Sequence, residues 1–218
     1  MFNGTGTALI TPFDTDLNVD FQSLKNLIRF QIDNGINALI ILGTTGEAVT
    51  IDDYEREKII DISVTEVNKK IPVIIGTGTN NTKKVVSHNQ MAEKYNVDAL
   101  LIVNPYYNKG TQKSLVEHYK FISERTSLPI ILYNVPSRTG MNILPETVIQ
   151  IFNECKNVIA VKEACGDISQ IAKLFANKPE DLIVYSGNDD QALPIMSLGG
   201  KGVISVLSNI LPKETDSY

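Results

Sequence analysis

Lys162 closes a run that is otherwise apolar, Val158-Ile159-Ala160-Val161, and a lysine drawn into such surroundings loses solvation. Its amine is then more easily neutral, and a neutral amine is the nucleophile that imine formation with a ketone requires. A lysine at a strand end also has a plainer use, lying along apolar surface while its ammonium reaches water. Tyr133 ends the preceding apolar run, so its phenol falls near the Lys162 amine. It can carry protons while an imine forms, or simply pack its ring at a rim. Gly43-Thr44-Thr45-Gly46-Glu47 offers backbone N–H groups and two hydroxyls beside an expected helix N-terminus, which suits a small carboxylate and equally suits an ordinary connection. Arg138, between Pro136 and Gly140, carries a guanidinium able to grip a carboxylate through two parallel hydrogen bonds, although most loop arginines do not.

Other chemistries find less support. Gly76-Thr77-Gly78 has Asn81 where a dinucleotide fingerprint needs its third glycine. His88 and His118 fall inside helical periodicity without an acidic partner at ligand spacing, and Asp189-Asp190 reads as a helix cap, so no metal site and no cofactor is expected. Cys155 and Cys165 are too few for a disulfide framework and suit free thiols in a reducing cytosol. A net charge of −5 and a pI near 5.1 leave no basic face for nucleic acid or anionic lipid. The N-terminal residues lack the pattern of a targeting peptide and no apolar run is long enough to span a membrane, so a cytoplasmic location is expected.

The elements that must position these residues repeat. Short apolar runs at 6–10, 38–42, 73–75, 99–103, 130–133, 158–162, 183–186 and 202–205 alternate with amphipathic stretches at 20–34, 52–68, 80–95, 111–125, 145–154, 167–175 and 189–198. Asp20, Asp52, Asn80, Thr111 and Asp167 are the expected N-caps, and Gly35 follows the first helix. With 43% apolar and 21% charged residues, 218 residues support one substantial core. A period of roughly 28 residues matches one βα unit, so the expected fold is a single-domain (β/α)8 TIM barrel spanning 1–218. An open doubly wound sheet is the rival. The eighth helix is missing from the pattern, because Val206 to Tyr218 contains Pro212 and is short, and apolar surface of the eighth strand is expected to lie uncovered. In such a barrel the strands' C-terminal ends carry the site, and the polar residues above collect there.

Taken together, Gly43-Thr44-Thr45-Gly46-Glu47, Tyr106-Tyr107, the run Tyr133-Asn134-Val135-Pro136-Ser137-Arg138-Thr139-Gly140 and Lys162-Glu163-Ala164 resemble the dihydrodipicolinate synthase family, within the superfamily of N-acetylneuraminate lyase and class I pyruvate aldolases. The resemblance runs from the N-terminus to about Leu211. It implies a lyase of lysine and diaminopimelate biosynthesis that condenses pyruvate with aspartate semialdehyde through an imine on Lys162. By the same resemblance Tyr133, Thr45 and Tyr107 form a proton relay, with Tyr107 reaching across a dimer interface. Thr44 and Thr45 hold the pyruvate carboxylate, Arg138 holds that of the semialdehyde, and the backbone at Gly187 and Ile204 lines the site. The family forms homodimers and homotetramers, and continues past the eighth strand with a barrel helix and a C-terminal helical region. Relative to that pattern the chain is shortened. A related pyruvate-dependent sugar-acid aldolase and an inactive or folding-impaired barrel fragment stand as alternatives. Where lysine-inhibited members bind the effector, Ala48, Asp53, Arg56 and Lys84 take the matching positions, with Asn80 and Tyr106 retained, so lysine inhibition is expected to be weak or absent.

Overall fold

Every strand neighbour in the sheet is parallel and in sequence order, and β1 (Gly4–Ala8) pairs with both β2 (Ala38–Ile41) and β8 (Gly202–Ser205), which closes the barrel. The structure, a computed structural model, describes residues 1–216. The other strands are β3 (Val73–Gly76), β4 (Ala99–Val103), β5 (Ile130–Asn134), β6 (Val158–Glu163) and β7 (Ile183–Ser186). The helices are α1 (Phe21–Asp33), α2 (Asp53–Val67), α3 (Thr82–Glu93), α4 (Gln112–Ser123), α5 (Pro136–Thr139), α6 (Pro145–Glu154), α7 (Ile168–Asn177), α8 (Ala192–Ser197) and α9 (Pro212–Asp216). The closed barrel is the expected one, and the open sheet is set aside.

Successive strand residues face opposite sides, which builds two cores. Ala38, Ile40, Ile74, Ala99, Leu101, Ile131, Ala160 and Ile204 fill the barrel interior, while Leu39, Ile41, Ile75, Leu100, Ile130, Leu132 and Val161 pack outward against helices. Phe2 plugs the interior at one end, its ring stacked 4.5 Å from that of Tyr185, whose hydroxyl donates to the Phe2 carbonyl at 2.7 Å. Because every strand is covered on both faces, runs such as Ile130–Leu132 carry no polar residue, as the sequence indicated.

Asp20, Asp52, Thr111 and Asp167 cap their helices as expected, Asp52 in a capping box with Glu55. Elsewhere the sequence reading needs correction. The cap of α3 is Asn81, whose side chain accepts from the Lys83 and Lys84 N–H groups, not Asn80. The expected helix over 189–198 divides into a 3-10 turn, Asp189–Gln191, and α8, because Pro194 has no N–H with which to continue an α-helical ladder from the start of that segment. Asp189 does not cap that turn: its Oδ2 accepts from the Val206 and Leu207 N–H groups, each at 3.1 Å, and so ties the segment after β8 to the end of β7. Nor is β8 left bare. Val203, Ser205 and Ser208 are buried, and the Thr215 carbonyl accepts from the Thr5 hydroxyl at 3.3 Å, so the segment through α9 lies over the junction of β1 and β8. The exposed apolar side chains there are Val206, Ile210 and Leu211.

Candidate active site

Lys162 and Tyr133 are register partners on β6 and β5, and both belong to the inward-facing set. The Lys162 Nζ lies 4.3 Å from the centroid of the Tyr133 ring. Lys162 is only 4% exposed. Burial lowers its pKa to about 7, with the negative charge of Asp189 opposing the shift and Arg138 reinforcing it. An amine normally protonated at neutral pH is thereby available in its nucleophilic form. Burial also raises the pKa of the Tyr133 phenol, against a hydrogen bond with the Thr44 side chain and the charge of Arg138.

A cavity of about 280 Å³ opens at the C-terminal ends of β2 to β5, walled by Thr44, Val49, Gly78, Val103, Tyr106, Tyr133 and Arg138 among others. Lys162 is not in its wall; the amine lies against the ring of Tyr133, which is. The Gly43–Glu47 loop does not abut a helix N-terminus, contrary to the sequence reading, because turns continue to Thr50 and α2 begins at Asp53. Its Gly46 and Glu47 N–H groups are taken by the Gly43 and Thr44 carbonyls, at 3.1 Å each, which closes the loop on itself. Gly76 allows this loop to come close: a Cβ there would stand 2.0 Å from the Leu42 carbonyl oxygen.

Gly187 is equally constrained. A Cβ at this position would meet the Ala164 Cβ at 2.8 Å and the Lys162 Cε at 3.0 Å. Gly187→Ala is therefore expected to displace the lysine side chain and slow its reaction ~10- to 100-fold, the scale of an ångström-level misplacement. Single-turnover labelling of Lys162 at wild-type speed in that variant would contradict the contact.

On the outer face of β6, Glu163 is 1% exposed and its Oε1 accepts from Asn134 Nδ2 at 2.8 Å and from the Cys165 N–H at 3.0 Å. Burial raises its pKa to about 7 from an ordinary 4.5. Its contribution to stability is thus complete below about 4.5 and is lost as pH rises through 7, where the native state must ionise a buried carboxyl. Glu163→Gln is expected to melt higher than the wild type at pH 8 and alike at pH 4, a comparison that calorimetry makes directly. Among the described residues no group of three or more His, Cys, Asp or Glu side chains could hold a metal ion.

The model of the dihydrodipicolinate synthetase family matches residues 1–217. The chain belongs to this family. It is 54% identical over 213 residues to 4-hydroxy-tetrahydrodipicolinate synthase 1 of Clostridium acetobutylicum, covering 98% of this chain and 72% of that one. The crystal structure of dihydrodipicolinate synthase from Thermotoga maritima superposes with a TM-score of 0.97 at 49% identity, covering all of this chain and 74% of the other. A chloride-inhibited dihydrodipicolinate synthase from Acinetobacter baumannii, complexed with pyruvate, superposes at 0.96 with 40% identity, covering 100% and 74% of the two chains.

Against the residues the family resemblance had pointed to, the structure brings together Lys162, Tyr133, Thr44, Arg138 and Gly187. It differs on one. The side chain that moderates the rise in the Tyr133 phenol's pKa is that of Thr44 and not of Thr45. Tyr107, expected to reach a neighbouring subunit's site, is 87% exposed, at φ +74°, with its N–H donating to the Thr139 carbonyl at 3.3 Å. The Ile204 side chain is fully buried in the barrel interior and is not part of the cavity wall. Sequence reasoning quoted Glu163 only as part of a motif and took Asp189 for a cap. The alternation along β6, which puts Glu163 on the face opposite Lys162, was the signal available for the first.

Proposed function

We propose that this chain condenses pyruvate with aspartate 4-semialdehyde to give 4-hydroxy-tetrahydrodipicolinate, the lyase step of lysine and diaminopimelate synthesis, through an imine on Lys162. The observation that carries the reading is a buried amine, lowered to about 7, against a buried phenol at the mouth of a family-typical barrel. The neutral amine attacks the keto carbon of pyruvate and water leaves. The cationic imine draws electrons from the methyl carbon, which loses a proton to become an enamine. That carbon attacks the aldehyde, whose oxygen becomes the hydroxyl. The semialdehyde's own amine then displaces Lys162 as the ring closes, so one water is released overall.

Tyr133 and Thr44 supply and remove the protons, Thr45 receives the pyruvate carboxylate, and Arg138 receives that of the semialdehyde. An arginine in this loop suits a short substrate with a terminal carboxylate better than a sugar chain. The exposed Tyr107, held at a positive φ, fits a residue delivered to a neighbouring subunit's site. The test is intact mass after incubation with pyruvate and borohydride, which reduces an imine to a stable adduct. Wild-type protein is expected to gain one pyruvate-derived mass and Lys162→Ala none; a folded wild type without the adduct overturns the reading.

The same reading predicts insensitivity to lysine. Lys84 Nζ and Asp53 lie 3.5 Å apart, and the buried Arg56 guanidinium holds the Ala48 carbonyl at 2.7 Å and the Gly76 carbonyl at 3.4 Å. By the family resemblance these are the effector's positions, and there Lys84, already paired with Asp53, sets a positive charge against the effector's amine. Millimolar lysine is expected to leave the rate unchanged, and a dose-dependent loss in steady-state assays would refute this.

A further inference from the structure

The pair that faces inward, Tyr133 and Lys162, is followed one residue later on each strand by a pair that faces outward, Asn134 and Glu163, joined by a hydrogen bond of 2.8 Å. The outer pair reaches the segment that follows Arg138 and the backbone that follows Lys162. Asn134 Oδ1 accepts from the Ile143 N–H at 2.9 Å, and its Nδ2 donates to Asn142 Oδ1 at 2.8 Å, so its amide fastens the far end of the loop that carries Arg138. Asn142 is itself held by Gln170 of α7 at 2.6 Å. Glu163 accepts from the Cys165 N–H through its side chain and from the Gly187 N–H, at 2.8 Å, through its main chain; Gly187 is the residue packed against the Lys162 stem.

A buried carboxyl is a costly way to fill space. No lysine, arginine or histidine stands within ion-pair distance of Glu163 among the described residues, and burial displaces its titration far above the usual carboxylate range. What the side chain supplies is an acceptor placed where two donors from different segments converge. The site needs such a brace because β5 and β6 are irregularly paired: their register shifts between Ile130 and Ile131, upstream of the Tyr133 and Lys162 pairing.

We propose that Glu163 is a positioning residue, forming with Asn134 a clamp on the outer face of β5 and β6 that fixes the Lys162 amine relative to the Tyr133 phenol and the Arg138 loop. The clamp touches no substrate and acts through the residues on either side. The inference rests on Lys162 being the imine-forming residue.

The test compares wild type, Glu163→Ala, Glu163→Gln and Asn134→Ser by borohydride-trapped adduct formation per folded molecule, by kcat and KM, and by pH profile. Glu163→Ala and Asn134→Ser are each expected to lower kcat by ~10- to 100-fold with little change in KM for pyruvate, since alignment rather than binding is lost. Glu163→Gln keeps an acceptor oxygen and is expected to recover most of that loss. Glu163→Ala and Asn134→Ser combined in one chain are expected to be no worse than the poorer single variant, as for two halves of one interaction. Asn134→Ser leaves Glu163 intact, so it decides the matter if Glu163→Ala fails to fold. Wild-type kcat in both single variants, a glutamine variant as impaired as the alanine one, or losses that fall on KM would each overturn the clamp. Failure of the wild type itself to form an adduct would instead strike the proposed function.

Discussion

Methionine at position 162 is expected to abolish turnover and at the same time to make the protein harder to melt. The two effects have one cause. Lys162 is almost fully buried, and its pKa is lowered to about 7 in the native state against 10.5 when solvated. Between those values the unfolded chain holds a proton that the native state does not, so stability climbs as pH rises from about 7 towards 10.5. At pH 7 and below, the whole cost of burying the lysine is borne. Methionine fills a similar length without a charge and removes that cost, at ~2–4 °C of Tm for each kcal/mol recovered in a chain of this size. Loss of the nucleophile should lower kcat by ~10⁵-fold or more, the scale seen when a covalent nucleophile is taken from an enzyme.

The pH dependence makes this outcome specific. Calorimetry should show the advantage of Lys162→Met largest near pH 6 and shrinking towards pH 10. In the wild type, adduct formation should rise ~tenfold per pH unit below 7, as the neutral amine becomes available, and level off above it. A methionine variant that melts below the wild type at pH 6, or a wild-type rate still climbing at pH 9, would place the amine in solvent and remove the basis for its reactivity.

The barrel was legible because its signals are local and repeated. Runs such as Ala38–Leu42 and Ala99–Val103 carry no polar residue, and Asp20, Asp52, Thr111 and Asp167 mark helix starts by chemistry that depends on the next three residues alone. Lys162 and Tyr133 were legible for the same reason: each closes an apolar run, and a closed barrel puts adjacent strand ends together. What escaped depended on contacts distant in sequence. Asp189 looked like a cap because a helical pattern follows it, yet its partners are the Val206 and Leu207 amides, which only the β7 to β8 crossover brings near. Asn80 and Asn81 are the same residue type, one position apart, and what decides between them is that the backbone stays extended through Asn81 and turns helical only at Thr82. Thr44 and Thr45 pose the same problem at the site itself. Which hydroxyl faces the phenol is set by how the loop closes through its own carbonyls and by the absence of a side chain at Gly76.

Tyr133→Phe should lower kcat by ~10²- to 10⁴-fold, the range for loss of a general acid–base group, while leaving the fold and the KM for pyruvate nearly unchanged. Phenylalanine keeps the ring that packs against Lys162 and removes one buried oxygen. Because burial raises the phenol's pKa above its ordinary 10, Tyr133 is protonated throughout the neutral range and serves as a proton carrier only if a neighbour replenishes it. The Thr44 side chain, whose influence lowers the phenol's pKa against burial, is that neighbour, so Thr44→Val should reproduce the kcat loss in smaller measure. Thr45→Val should act instead on KM for pyruvate, if its place is with the carboxylate. The pair of valine variants therefore separates two relays that differ by a single residue. If Thr45→Val lowers kcat and Thr44→Val does not, the relay runs as the family resemblance alone had it. Wild-type turnover in Tyr133→Phe would remove the phenol from proton transfer altogether and leave it the role of packing against the lysine.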